Sequence, residues 1–221
     1  MDVTEAVRRR ISVRAFKPDW VPEPVVREIL EAAQRAPSGG NLQPWRVYAL
    51  AGAKLQEFKT LAAARLPSAE TPEYKVYPAN LWEPFRTRRY QCGEDLYATI
   101  GIERADKQGR LAQLAKNANF FGAPVGLFFC IDRNLGPPQW ADLGMYMQTV
   151  MLLAVERGLD TCPQEFWAML PRTIGEFLNL PADHMIFSGM AMGYRDDSHP
   201  INGLRTRRDP FETFAEMHGF D

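Results

Sequence analysis

Cysteine and histidine are scarce, and neither falls into a ligand pattern. Cys92, Cys130 and Cys162 are odd in number, widely spaced and without a C-x-x-C pair. That argues against a disulfide framework and a thiolate zinc site, and favours a reducing compartment, the cytoplasm. His184, His199 and His218 lack metal-ligand spacing, and no H-E-x-x-H occurs, so no metal is expected. Charge of one sign is missing too: 26 basic residues against 27 acidic give a net charge of −1. This removes the electrostatic case for a dedicated nucleic-acid or membrane-surface protein and leaves a small molecule as the expected partner. The longest apolar stretch, Met145 to Val155, is interrupted by Gln148 and bounded by Asp142 and Glu156, too short to cross a bilayer. Met1 to Arg14 is charged and has no apolar h-region, so no secretion signal is expected. G-x-S-x-G, a P-loop, and a G-x-G-x-x-G opening a plausible Rossmann unit are likewise missing, so any phosphate must be held in another way.

What is present is a chain of 221 residues, 46% hydrophobic, enough for a continuous core in a single domain over residues 1–221. A short helix is expected over Asp2 to Arg10, then an extended arginine-bearing segment to Phe16. Pro22 or Pro24 starts a helix whose Val25, Val26, Ile29, Leu30 and Ala33 share one face. Arg46 to Leu50 reads as a strand broken by Gly52, and Lys54 to Arg65 as a second amphipathic helix. Pro67 to Gly93, rich in proline, aromatics and arginine, reads as irregular, and long loops of that kind are lids or partner contacts. A helix is expected over Glu94 to Lys116 and a strand buried on both faces over Ala123 to Ile131. Trp140 to Arg157 is apolar on nearly every face. It is either a core helix or one buried partly against a second copy. A strand or crossing over Leu159 to Gln164, a short helix over Leu170 to Leu178 and a strand over Met185 to Tyr194 follow. The tail after Arg195 carries Phe211, Phe214 and Phe220, aromatics that call for a packing surface.

The most informative segment is Ala36 to Trp45, with prolines at both ends, Gly39 and Gly40 between them, and Ser38, Asn41 and Gln43 as neutral hydrogen-bonding groups. It suits contact with a neutral polar heterocycle, though alone it reads equally well as a helix stop and a loop into a strand. The chain ends tilt the balance. Arg8, Arg9, Arg10 and Arg14 lie at one end with Ser12, and Arg205, Arg207 and Arg208 at the other with Thr206. Each arginine taken singly is an ordinary surface residue, but two such segments can close on one phosphomonoester dianion.

These features come with others in a fixed order: Arg9 to Phe16, Ala36 to Trp45, Asn117 to Pro124, Gly158 to Gln164, and Gly193-Tyr194 followed by Arg205-Thr206-Arg207. Together they resemble the FMN-dependent nitroreductase family, nearest its nitrobenzoate-reductase-like branch, over nearly the whole chain. The resemblance implies an α+β sandwich of a mainly antiparallel sheet flanked by helices, in an intertwined homodimer with FMN at the seam and the 140–157 helix in the dimer core. By position, Arg10, Arg205 and Arg207 would hold the FMN phosphate with Ser12 assisting, and Arg14 would face the N1 and O2 edge of the flavin. Pro37, Ser38, Gly39 and Asn41 would reach the flavin of the other subunit, and Gln43 would be structural. Asn117 would pair with the pyrimidine edge, and Pro163, Gln164 and Glu165 would run beneath the ring near N5. Phe166-Trp167 stands where the family has a small residue.

The implied activity is ping-pong reduction of nitroaromatic or related electron-poor aromatics, with NADH or NADPH as donor and no side-chain acid or base. Residues 67–93 would form a substrate-side lid or pack on the neighbouring subunit. There Tyr74, Tyr77, Trp82, Phe85 and Tyr90 offer an aromatic wall, and Arg86, Arg88 or Arg89 would attract an acidic aromatic. Residues 196–221 would be an extension packing on the partner subunit. The same fold would also serve a reductive dehalogenase or an oxidase or dehydrogenase, and the arginine clusters alone would fit a binding module without redox activity.

Overall fold

The computed structural model describes residues 1–68 and 70–220. Ala69, inside the expected 67–93 lid, and Asp221, the end of the expected 196–221 extension, lie outside the described residues. The uninterrupted apolar run becomes β2 (Val125–Asp132), in which every residue but Asp132 is buried. It pairs antiparallel with β1 (Arg46–Ala51) on one side and β4 (His184–Gly193) on the other. β3 (Asp160–Gln164) adds to the far edge of β4, giving the order β1-β2-β4-β3.

Alternation along β2 divides the interior into two cores, because successive side chains leave opposite faces of a strand. Val125, Leu127, Phe129 and Ile131 pack with Val26, Ile29 and Ala33 of α2 (Glu23–Ala33) and with Leu143, Val150 and Ala154 of α6 (Pro137–Glu156). Phe128 and Cys130 pack with Leu55, Phe58 and Ala62 of α3 (Gly52–Arg65) and Ile174 of α7 (Pro171–Leu178). The result is the expected sandwich, a helical layer on each face of an antiparallel sheet. The β2–β4 register shifts between Phe129 and Cys130, leaving Phe187 as the extra residue, so β4 keeps a buried side on both halves of its length.

The N-terminal segment extends this frame. Asp2 caps α1 (Val3–Arg9) by accepting a hydrogen bond from the Glu5 amide at 2.8 Å. The chain then runs beside β3, with Ser12 bridged in parallel to Thr161 and Phe16 to Arg195. Most faces of α6 are covered within the chain, and Tyr146 stacks on Trp45 at 4.8 Å while donating to the Leu30 carbonyl. Met145 is exposed, and Leu152 and Leu153 are half-buried.

Two expectations need correction. The single helix over 94–116 is two: α4 (Phe85–Thr99) begins inside the stretch read as irregular, and α5 (Lys107–Ala115) starts afresh from an Asp106 cap. Gly101, at φ 65°, turns the chain between them in a conformation that suits a residue without Cβ. α4 has no buried residue in this chain, so no apolar stripe existed for periodicity to detect. Arg110 joins the two helices by a bidentate pair with Glu94, at 2.6 and 3.0 Å. Among the described residues, no helix is long and apolar enough to cross a membrane.

Candidate functional site

The two ends of the chain meet. Arg205 donates Nη1 to the Arg8 carbonyl at 2.9 Å, across 197 residues, closing the tail over the C-terminal end of α1, where exposed carbonyls favour a cation. Arg10 lies half-buried just beyond that end. Burial first, then the nearby Arg208 and Arg205 guanidiniums, pull its pKa down from the ordinary arginine value. Arginine keeps its proton regardless, so the site concentrates positive charge, which Asp160 offsets only in part, toward Arg195, Arg9 and Arg205. Among the described residues Arg10 has no carboxylate within ion-pair distance. Asp160, whose carboxyl is raised by burial, is instead engaged by Arg195 at 3.7 Å. The donor set therefore fits a bound dianion.

Arg207, expected in the same group, points elsewhere: its Nη2 lies 3.4 Å from Asp95 on α4 and its side chain is 74% exposed. Arg88 of α4 makes the reciprocal pair with Asp209 of the tail. Two crossed ion pairs thus fasten the tail to α4, and Arg208 takes the place beside Arg10.

Arg14 is fixed from both directions. Its amide donates to Asn202 Oδ1 at 2.8 Å, and its own Nη1 donates to the Ser12 carbonyl at 3.1 Å. Asn202 is buried and returns its Nδ2 to the Ala15 and Asp196 carbonyls. Composition gave no reason to single out Asn202, because its partners lie up to 188 residues away. Ser12 sits beside Thr161, whose carbonyl accepts from the Val13 amide at 3.0 Å. Arg10, Ser12, Arg14 and Arg205 are therefore brought to one edge of the fold.

At the end of β3, Gln164 is buried and donates Nε2 to the Asn117 carbonyl and side-chain oxygen, at 2.9 and 3.1 Å. The Trp167 indole N–H donates to Gln164 Oε1 at 3.2 Å. Asn117 in turn donates to the Leu114 carbonyl, so its orientation is set from the core outward. Pro163 is half-buried and Glu165 exposed, flanking Gln164 on either side. Phe166 and Trp167 join the α3-side core.

The Pro37 to Asn41 loop is placed apart from this group. The Gly39 amide donates to Asp142 Oδ2 of α6 at 3.2 Å, and Ser38 Oγ accepts from the Gln43 amide at 3.0 Å. Asn41 and Gln43 both adopt positive φ, and Gln43 folds back to donate to the Asn41 carbonyl. Pro37, Gly39 and Asn41 are exposed. The described hydrogen bonds of this loop stay within it or reach α6.

Burial pushes the Cys162 thiol up to about 11 despite the Arg14 and Arg10 charges, and the Cys130 thiol up to about 12. A buried thiol of this kind is a small hydrophobe, not a nucleophile. Iodoacetamide at pH 8 is expected to label Cys92, which is exposed, and to reach Cys130 and Cys162 only after denaturation. Peptide mass mapping reads the result, and native labelling at Cys162 would contradict this assignment.

The profile described as the Nitroreductase family matches residues 7–194. A 4-nitrobenzoate reductase from Pseudomonas putida is 38% identical over 222 aligned residues, covering 100% of this chain and 97% of the relative. Among solved structures, the FMN and NADPH-dependent nitroreductase NfnB from sphigopyxis sp. strain HMH superposes with a TM-score of 0.96 at 46% identity, both chains covered in full. The FMN-dependent NfnB from Mycobacterium smegmatis, in complex with NADPH, does so with a TM-score of 0.92 at 28% identity, covering 98% of this chain and 100% of its own. With the profile spanning both edges of the sheet and these relatives matched end to end, the chain belongs to the nitroreductase family.

Proposed function

We propose that this chain is an FMN-dependent, NAD(P)H-consuming oxidoreductase that reduces nitroaromatic or related electron-poor aromatic compounds. The observation that carries the reading is the half-buried Arg10, placed against Arg205 and Arg208 with no acidic partner of its own among the described residues. Such an arrangement favours a compact dianion, and a phosphomonoester is one. Arg10 and Arg205, with Ser12 beside them, hold the phosphate, and Arg207 contributes from the rim. Arg14, its backbone held by Asn202 and its guanidinium by the Ser12 carbonyl, would supply positive charge at the N1 and O2 edge, where it favours the reduced state. Asn117 reads the pyrimidine edge in the orientation that Gln164 imposes. Pro163, Gln164 and Glu165 line the underside of the ring. Held by these residues, FMN would supply the hydride-transfer chemistry between the reduced nicotinamide and the aromatic acceptor. The protein adds position and electrostatics, with no side-chain acid or base required.

The Pro37 to Asn41 loop has its own place in this reading: it serves the flavin of a second copy. Its exposure and its anchorage to α6 through Asp142 support that arrangement. So do Phe211, Phe214 and Phe220 of the tail, 47%, 72% and 76% exposed in the single chain, which residues 196–221 would bury on the partner subunit. The working form is thus a homodimer, in the cytoplasm, with α4 and the preceding segment forming the substrate-side cover.

The purified protein is expected to be yellow and to release FMN on denaturation. Under anaerobic conditions it is expected to oxidise NADH or NADPH in step with the loss of an added nitroarene. A colourless protein that takes up no FMN on reconstitution would end this reading.

A further inference from the structure

Three arginines on the first turns of α4 face different fates. Arg86 donates Nε to Glu83 at 2.7 Å and projects into solvent. Arg88 is paired with Asp209. Arg89 has no carboxylate within ion-pair distance among the described residues, and its guanidinium lies over the Tyr77 ring, 4.3 Å from the centroid.

Arg89 lines a cavity of about 540 Å³ with Arg14, Tyr77, Leu81 and Phe85, and Arg88, committed to Asp209, lines it too. That volume lies in the range of small-molecule sites, about 300–1,000 Å³. Its wall is mainly apolar and aromatic, suited to one face of an arene. No acidic side chain is among its lining residues. Arg14, which the proposed function sets against the flavin, places this cavity next to the reacting ring. Arg89 is exposed, its guanidinium rests on the Tyr77 face at the cavity wall, and with no ion-pair partner among the described residues its donor fork stays free for a planar anion.

We propose that Arg89 selects aromatic substrates bearing a carboxylate or a comparable ring-borne anion, gripping the charged group while Tyr77, Leu81 and Phe85 hold the ring. This rests on the redox reading above and adds to it the residue that recognises a ring-borne anion. Arg86 and Arg88 are excluded from the role by their existing partners.

The test uses FMN-loaded protein and a nearly isosteric pair, 4-nitrobenzoate and 4-nitrobenzamide. Arg89→Gln is expected to lower the ratio of kcat/KM for the acid over the amide by about threefold to tenfold, the span of a charged contact at an exposed site. The loss should fall on KM for the acid, and Arg89→Lys should restore part of it. Calorimetric titration with benzoate and benzamide, which cannot be reduced, should show the same loss for benzoate. A ratio that moves by less than about twofold, too little for one lost charged contact, overturns the proposal. So does an equal loss for acid and amide, which would mean packing alone. A rise in KM for NADPH or a drop in FMN retention as the main effect would assign Arg89 to the dinucleotide or the flavin instead. If the unsubstituted protein reduces neither nitroarene, the redox reading fails, and the benzoate titration still decides the role of Arg89.

Discussion

Arg10→Ala is expected to raise the FMN dissociation constant about a hundredfold, the equivalent of a lost pair of charge-assisted contacts in a partly desolvated site. Arg207→Ala should raise it by no more than about threefold, as befits an exposed, screened charge. The contrast follows from where the two guanidiniums stand. Arg10 is half-buried, is crowded by Arg208 and Arg205, and has no acid of its own among the described residues. Arg207 is 74% exposed and is drawn to Asp95. Removing Arg10 takes away the charge least reachable by solvent and salt, whereas Arg208 and Arg205 remain to cover for Arg207. Titration of apoprotein by quenching of FMN fluorescence measures both. Equal losses at the two positions would show that the tail swings Arg207 onto the phosphate and releases Asp95. Asp95→Asn would then tighten FMN binding, a result the present geometry does not favour.

How far the sequence revealed this arrangement depended on the range over which each signal acts. β2 was legible because burial on both faces leaves an unbroken apolar run, and α2 because one buried face leaves a helical stripe. The meeting of the chain ends was legible only as a shared composition of arginine and hydroxyl residues. It did not distinguish Arg207 from Arg208, since the choice is made by Asp95 on an element more than a hundred residues away. Asn202 and Asp142 escaped for the same reason: their partners, the Arg14 and Gly39 amides, are 188 and 103 residues distant. α4 was missed on different grounds. A helix with no buried residue carries no periodicity, and its visible contacts are ion pairs and cation–π pairs such as Arg88 with Asp209 and Arg110 over Tyr97. The irregular reading of 67–93 failed where that helix begins; of the aromatic wall expected there, Tyr77 and Phe85 line the Arg89 cavity, while Tyr74 packs on Phe187 instead.

Trp167→Ala is expected to cost about 3–5 kcal/mol, the range for truncating a large buried aromatic. For a chain of this size that lowers Tm by about 10 °C. Trp167 is fully buried, with ring centroids 4.6 Å from Phe120, 5.3 Å from Phe58 and 5.6 Å from Phe128. The fit extends to the sheet: a Cβ on Gly189 would come within 2.2 Å of Trp167 Cδ1, so β4 carries a glycine there to admit the indole. The same residue ends the polar relay that reaches Asn117 through Gln164. Trp167→Phe separates the two roles, because it keeps most of the packing and removes the N–H. It should leave Gln164 Oε1 short of a donor, at about 1–3 kcal/mol for a buried polar atom. Its FMN affinity should fall further than its modest loss in Tm would explain. Differential scanning calorimetry of the apoprotein variants, with FMN titration alongside, measures both quantities. If Trp167→Phe bound FMN as the unsubstituted protein does, Gln164 would hold Asn117 without help from the indole. If Trp167→Ala melted within about 2 °C of it, less than the shift for 1 kcal/mol, the aromatic cluster would not be the centre of that core.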